Sequence, residues 1–191
     1  ACMRISEGWL EGVVCCPSEH CNERPAGCDV SLLVIHNISL PPACFGGGFV
    51  QPFFTGQLDP SLHPYFAEIA DLRVSAHFLI ERDGTVTQFV SCDRRAWHAG
   101  ASCYGGRENC NDFSIGIELE GTDELPYADA QYDALVSLTR VLQTAYPAIT
   151  NHRITGHEFI APGRKTDPGP AFDWRRYLQA LVCSHRVQGE H

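Results

Sequence analysis

No window of the 191-residue chain reaches the roughly 18 consecutive apolar residues that a membrane-spanning helix requires. Basic residues are scarce: 14 Lys and Arg stand against 23 Asp and Glu, a formal net charge of -9. That sign argues against proteins whose affinity comes from neutralising phosphates or anionic lipid surfaces. The expected partner is therefore a small molecule, with no nucleic acid and no membrane, and nothing marks an obligate protein partner. Two local basic clusters, Arg94-Arg95 and Arg164-Lys165, leave room for an anion site within the acidic whole. The first residues, Ala1 to Trp9, lack the basic-then-apolar layout of a secretory signal, so a cytoplasmic location is expected. There is no Cys-x-x-Cys pair either, which leaves a structural zinc knuckle unsupported.

Cysteine itself is plentiful, with ten in the chain. Cys15 and Cys16 are adjacent and the others follow no repeating spacing, so most are expected to be reduced thiols. Cys103 and Cys110 bracket a Gly-rich loop and form the first pair to check. Length and a 44% apolar content fit one domain over residues 1–191, without internal repeat or low-complexity tract.

The first thirty residues show no sustained period and read as mostly irregular covering structure. Ser31-Leu-Leu-Val-Ile-His36-Asn37 then has the pattern of a buried strand whose polar end emerges at an edge. Residues 38–64 are rich in Pro, Gly and Phe, a composition shared by binding loops and plain surface excursions. Two β-type runs, residues 74–80 and 86–90, flank Asp83-Gly84 and predict a hairpin. In residues 113–120, Ile115, Ile117 and Leu119 alternate with Ser114, Gly116, Glu118 and Glu120, which puts two carboxylates on one face. Asp129 is expected to cap a helix whose Tyr132, Leu135, Leu138 and Leu142 keep helical spacing until Pro147. Trp174, Tyr177, Leu178 and Leu181 mark a last helix. The fold class is α/β (α+β), a central mixed sheet flanked by helices.

His36 ends the first apolar strand, His157 follows a glycine, and Asp167 lies ten residues on, in a loop held by prolines. Two histidines and a carboxylate with an open fourth position form a recurring catalytic zinc set. Nine histidines are present, and spacing alone does not separate a ligand from a core or solvated histidine.

Five segments, in one order, resemble the AmpD family of N-acetylmuramoyl-L-alanine amidases: residues 33–42 (LVIHNISLPP), 72–77 (LRVSAH), 95–100 (RAWHAG), 111–121 (NDFSIGIELEG) and 165–170 (KTDPGP). The likeness spans about residues 9–181. It implies the amidase fold shared with peptidoglycan recognition proteins. It also implies peptidoglycan recycling: hydrolysis of the bond between anhydro-N-acetylmuramic acid and L-alanine, with an associated effect on β-lactamase induction. The cofactor implied is Zn2+, held by His36, His157 and Asp167. Glu118 and Lys165 match the catalytic pair, Glu118 as proton carrier and Lys165 as stabiliser of the oxyanion. Alternation alone leaves Glu118 and Glu120 equivalent; the resemblance chooses Glu118, and Glu120 could orient a metal-bound histidine. Asn37, Arg73, Trp97 and His98 match substrate contacts, whereas His77 reads as structural. Asn109 stands where the family's pattern often has an Arg that grips the far end of the stem peptide, which leaves Arg73 or Arg107 as substitutes.

Two further readings compete. A catalytically silent muropeptide-binding module shares this fold, but members of that kind lack a zinc ligand. A cysteine-nucleophile hydrolase would use the thiols, yet no cysteine here sits in a nucleophile context.

Overall fold

Leu32, Leu33, Val34 and Ile35 are all sealed from solvent, which a strand achieves only when both faces of its sheet are covered. The computed structural model describes residues 4–183 and shows how that cover is built. The central sheet holds β1 (Val14–Cys15), β2 (Leu32–Ile38), β3 (Phe78–Ile80), β4 (Val86–Gln88), β5 (Ser114–Glu120) and β6 (Ile154–Gly156), in the order β6-β2-β5-β3-β4-β1. From β6 to β3 the neighbours run parallel; β3 and β4 form the antiparallel hairpin predicted at Asp83-Gly84, and the sheet is mixed as expected. The helices are α1 (Val50–Phe54), α2 (Pro64–Ile69), α3 (Asp129–Ala145), α4 (His157–Ile160) and α5 (Trp174–Cys183).

Alternation decides what each face meets. Leu33 and Ile35 of β2, with Ile115, Ile117 and Leu119 of β5, pack under Leu135, Leu138 and Leu142 of α3 and Tyr177 and Leu181 of α5. Leu32 and Val34 face the other way, toward Phe113, Cys110 and Ile160. A second apolar cluster forms where Phe53, Phe54 and Phe66, from residues 38–69, pack on Leu79 and Phe89. The stretch whose composition fits a loop or excursion is thus a wall of the molecule with two short helices in it.

Asp129 is not the cap of α3 but its first helical residue, with Ala128 in the extended cap position. Alanine cannot accept a helix N–H, so the end is tied instead by Gln131, whose Oε1 accepts from the Ala128 amide at 3.0 Å. Cys103 and Cys110 are not bridged; both are free, as are the other seven described cysteines.

The N-terminal thirty residues carry more order than their composition predicts. Ile5–Ser6 pairs with Trp9–Leu10, and Cys21–Glu23 pairs with Arg94–Ala96. This cover is pinned by Arg24, whose guanidinium donates to the carbonyls of Asn111, Asp112, Cys92 and Ser114 at 2.9 to 3.3 Å. Desolvation lowers its pKa to about 10, still fully charged at neutral pH. Hydrogen bonds from a charged donor contribute roughly 1.5–3 kcal/mol each, and a partner left dry costs its desolvation. Arg24→Met is therefore expected to lower stability by ~3 kcal/mol or more in urea unfolding; a loss under ~1 kcal/mol would show that water replaces the guanidinium without penalty.

Candidate active site

Three adjacent parallel strands bring the polar residues together by register. Glu118 of β5 is the direct partner of His36 on β2, and Gly156 of β6 is the partner of Ile35, so His157 follows at the same level. All three lie at the carboxyl ends of their strands, where open α/β sheets place their ligands. Side-chain direction matches too: Leu32, Val34 and His36 share a face with their partners Ser114, Gly116 and Glu118.

His36 and His157 are 1% and 5% exposed, dry enough that every ring nitrogen needs a partner. His157 Nε2 lies 3.1 Å from the Ala99 carbonyl, which can only accept, so that nitrogen carries a proton, and in the neutral ring Nδ1 is the lone pair. His157 Nδ1 faces His36 Nδ1 at 3.0 Å. Asp167 Oδ2 completes the group, 3.2 Å from His157 Nδ1 and 3.3 Å from His36 Nδ1. One donor atom from each of His36, His157 and Asp167 lies within 4.8 Å of the others, the spread that one metal ion can bridge.

Glu118 Oε1 is 3.9 Å from His36 Nδ1, and its Oε2 is buried without a hydrogen-bond partner. Burial, and then the neighbouring Asp167, hold the Glu118 carboxyl well above the usual range, while Lys165 pulls it the other way. A buried carboxylate with one oxygen unsatisfied, beside two converging ring nitrogens and a second carboxylate, is a donor set suited to a cation and its water, and the residues fit a bound metal. The loop that carries Asp167 is anchored at two carbonyls. That of Asp167 accepts from Glu158 N at 2.8 Å, and that of Pro168 accepts from Tyr127 Oη at 2.7 Å.

The group opens on a cleft of about 700 Å3, lined among others by Asn37, Trp97, His98, Glu118, Lys165 and the wall residues Leu40, Phe53 and Tyr65. Lys165 is exposed there. Asn37 donates from Nδ2 to Asp123 Oδ1 at 2.7 Å and to Tyr127 Oη at 3.0 Å. Its amide is thereby oriented with the carbonyl oxygen left to accept. Trp97 lines the cleft with its Nε1 bound to Asn22 Oδ1 and its ring stacked on His20. Arg73 is exposed, between Leu72 and Val74, which both line the cleft.

Glu120 does not orient a histidine. It lies one pleat beyond Glu118 and accepts from the amides of Gly46 at 2.8 Å and Arg82 at 3.1 Å, pinning two loops. The group that touches His36 from behind is His98, whose Nδ1 is 2.9 Å from His36 Nε2. Arg107 stacks on Phe113 and donates to Cys28 Sγ; neither it nor Asn109, which has left-handed backbone, lines the cleft. His77 is structural as expected: Nδ1 accepts from Gly116 N and Nε2 donates to the Arg94 carbonyl.

Comparison with known proteins decides the family. Residues 26–170 match the model of the N-acetylmuramoyl-L-alanine amidase family. The 1,6-anhydro-N-acetylmuramyl-L-alanine amidase AmpD of Citrobacter freundii is 61% identical, over 96% of this chain and 98% of its own. The chain belongs to the AmpD family of N-acetylmuramoyl-L-alanine amidases. A crystal structure of an AmpD superposes with a TM-score of 0.91 at 59% identity, over 94% of this chain and 99% of that one. AmpDh3 of Pseudomonas aeruginosa, solved in complex with anhydromuramic pentapeptide, gives a TM-score of 0.63 at 30% identity, over 82% of this chain and 61% of that one. The AmpD-family fold expected from the sequence is the one observed.

Burial lowers the pKa of His36 to about 4 and that of His77 to about 3, against 6.5 for an ordinary histidine. Both stay neutral in the folded state while the unfolded chain takes up protons, so stability is full above about 6.5 and declines as pH falls toward the folded values. For the protein without added metal, the urea midpoint is expected to fall steadily between about pH 6.5 and 4. A flat profile over that range would show that these imidazoles are not held neutral.

Proposed function

We propose that the chain is a zinc-dependent amidase that hydrolyses the bond between anhydro-N-acetylmuramic acid and L-alanine in muropeptides, as part of peptidoglycan recycling. The observation that carries this reading is the convergence of His36 Nδ1, His157 Nδ1 and Asp167 Oδ2 beside the buried Glu118, whose Oε2 has no hydrogen-bond partner, in a chain of the AmpD family. Those three atoms would hold the ion, and two imidazoles with one carboxylate are the donor set that zinc takes with a position left open. When bound, zinc lowers the pKa of water from 15.7 toward roughly 7 and polarises a carbonyl oxygen.

The remaining chemistry falls to side chains. Glu118, which lacks any other partner at Oε2, accepts a proton from the attacking water and returns it to the leaving nitrogen as the carbon–nitrogen bond breaks. The products are the lactyl carboxylate of the sugar and the free amine of the stem peptide. Lys165, exposed at the cleft, donates to the oxyanion of the tetrahedral intermediate. Asn37 offers its carbonyl oxygen to a peptide N–H, Trp97 a flat apolar face to the sugar, and Arg73 at the rim a bidentate grip on a peptide carboxylate. We place the reaction in the cytoplasm; the nine free thiols among the described residues suit a reducing compartment.

Glu118→Ala is expected to keep stoichiometric zinc and to lose ~10²–10⁴-fold in kcat on anhydromuropeptide. Asp167→Ala is expected to lose metal and turnover together. Wild-type kcat in the first variant removes Glu118 as the proton carrier, and full zinc occupancy in the second removes Asp167 as a ligand. Zinc-loaded protein is further expected to cleave soluble anhydromuropeptide in preference to intact sacculi, and to be stopped by chelators but not by thiol alkylation. Bound zinc with no turnover of anhydromuropeptide would leave the silent binding module standing.

A further inference from the structure

His98 matches a substrate contact of the family, yet both of its ring nitrogens are already committed inside the protein. Nδ1 lies 2.9 Å from His36 Nε2, and Nε2 lies 3.0 Å from Ser114 Oγ. The residue is 9% exposed and its ring meets that of His36 edge-on, with centroids 5.0 Å apart. Its backbone is fixed as well, since Asn111 Oδ1 accepts from the amides of both His98 and Ala99 at 3.1 and 2.8 Å.

The strand beneath is shaped for this ring. A Cβ at Gly116 would stand 2.5 Å from His98 Cγ and 2.7 Å from Nδ1, so only glycine lets the imidazole lie against β5. Ser114, Gly116 and Glu118 thus serve one face in three ways: Ser114 anchors the far side of the ring, Gly116 gives it a floor, and Glu118 enters the site.

We propose that His98 and Ser114 form a positioning relay that fixes the tautomer of His36, and so sets the affinity and geometry of the metal centre. The proposal rests on the zinc reading above, and it follows from proton counting. His36 presents Nδ1 to His157 and Asp167, so a metal there requires that nitrogen bare and the proton on Nε2. That proton needs an acceptor, and His98 Nδ1 lies within hydrogen-bond reach of it. His98 must then carry its own proton on Nε2, where Ser114 Oγ accepts it. The other histidine ligand is oriented by a backbone carbonyl, that of Ala99. For His36, a side-chain pair takes the place of such a carbonyl.

The test measures Zn2+ affinity of the full chain by competition with a chelator of known affinity, together with the visible absorption of the Co2+-substituted protein. His98→Leu removes the acceptor, and Zn2+ affinity is expected to fall roughly 10- to 100-fold with an altered Co2+ spectrum. His98→Asn, whose amide oxygen can stand where Nδ1 stands, is expected to recover most of that loss. Ser114→Ala cuts the chain at its far end without emptying the ring's place. It is expected to weaken Zn2+ binding by a smaller factor at an unchanged unfolding midpoint of the metal-free protein. Wild-type affinity and Co2+ spectrum in both Ser114→Ala and His98→Leu overturn the relay, and if His98→Leu does not fold, Ser114→Ala decides. An equal loss in His98→Leu and His98→Asn, with Ser114→Ala unchanged, also overturns it and leaves His98 as a space-filler. Wild-type protein that binds no Zn2+ overturns the zinc reading itself, a distinct result.

Discussion

Two imidazole nitrogens held 3.0 Å apart, with a carboxylate oxygen 3.2 to 3.3 Å from each, are the constraint on which this structure turns. Lone pairs brought together in a dry pocket repel unless a proton or a cation lies between them. The protein holds them together by giving each ring's other nitrogen a partner: Ala99 O behind His157, His98 behind His36. Each partner is fixed in turn, since Asn111 ties the amides of His98 and Ala99, and Arg24 ties the carbonyl of Asn111. The covering segment at the N-terminus therefore reaches the His36, His157 and Asp167 group by way of Asn111 and His98.

Register is the other half of the constraint. His36 and Glu118 are side by side because β2 and β5 pair parallel with Leu32 against Ser114, and His157 joins them because β6 pairs with Gly156 against Ile35. A slip of one residue in β2 or β5 would turn its chemistry-bearing side chain into the apolar layer under α3. The fully buried runs at Leu32–Ile35 and Ile115–Leu119 forbid that slip, since it would send Leu33 or Ile117 out of the α3 layer. Core packing and site geometry are in this sense one specification.

The parts of this arrangement that sequence makes legible are those encoded locally. The apolar run before His36, the alternation of residues 113–120, the Asp83-Gly84 hairpin and the stripe of α3 all declare themselves within a dozen residues, and all are present. The cap of α3 falls one residue before the expected position because a side-chain amide, Gln131, ties that end instead of the acidic residue beside it. The site is legible only through resemblance: nothing local separates His36 and His157 from the other histidines, nor Glu118 from Glu120. Glu120 shares the face and the chemistry, and only the loops that cap it, through Gly46 and Arg82, show that its oxygens are already used. Arg24 and His98 are unreadable in those roles because their partners lie 68 to 90 residues and 16 to 62 residues away.

A glycine shows how the two levels meet. In a strand read for alternation, Gly116 is a weak point, without a side chain to pack and with extra backbone freedom to lose. In the folded protein its missing Cβ is the space occupied by His98, and its amide donates to His77 Nδ1 at 3.1 Å. The strand gives up local propensity at one position to admit a ring from an earlier segment, and that ring completes the hydrogen bonding of His36. A local rule broken in the middle of an otherwise regular strand therefore marks where the second layer of the site enters. The same logic ranks Ser114 and Gly116 with Glu118, because one face of β5 supplies the anchor and the floor of the His98 ring and the carboxylate beside His36.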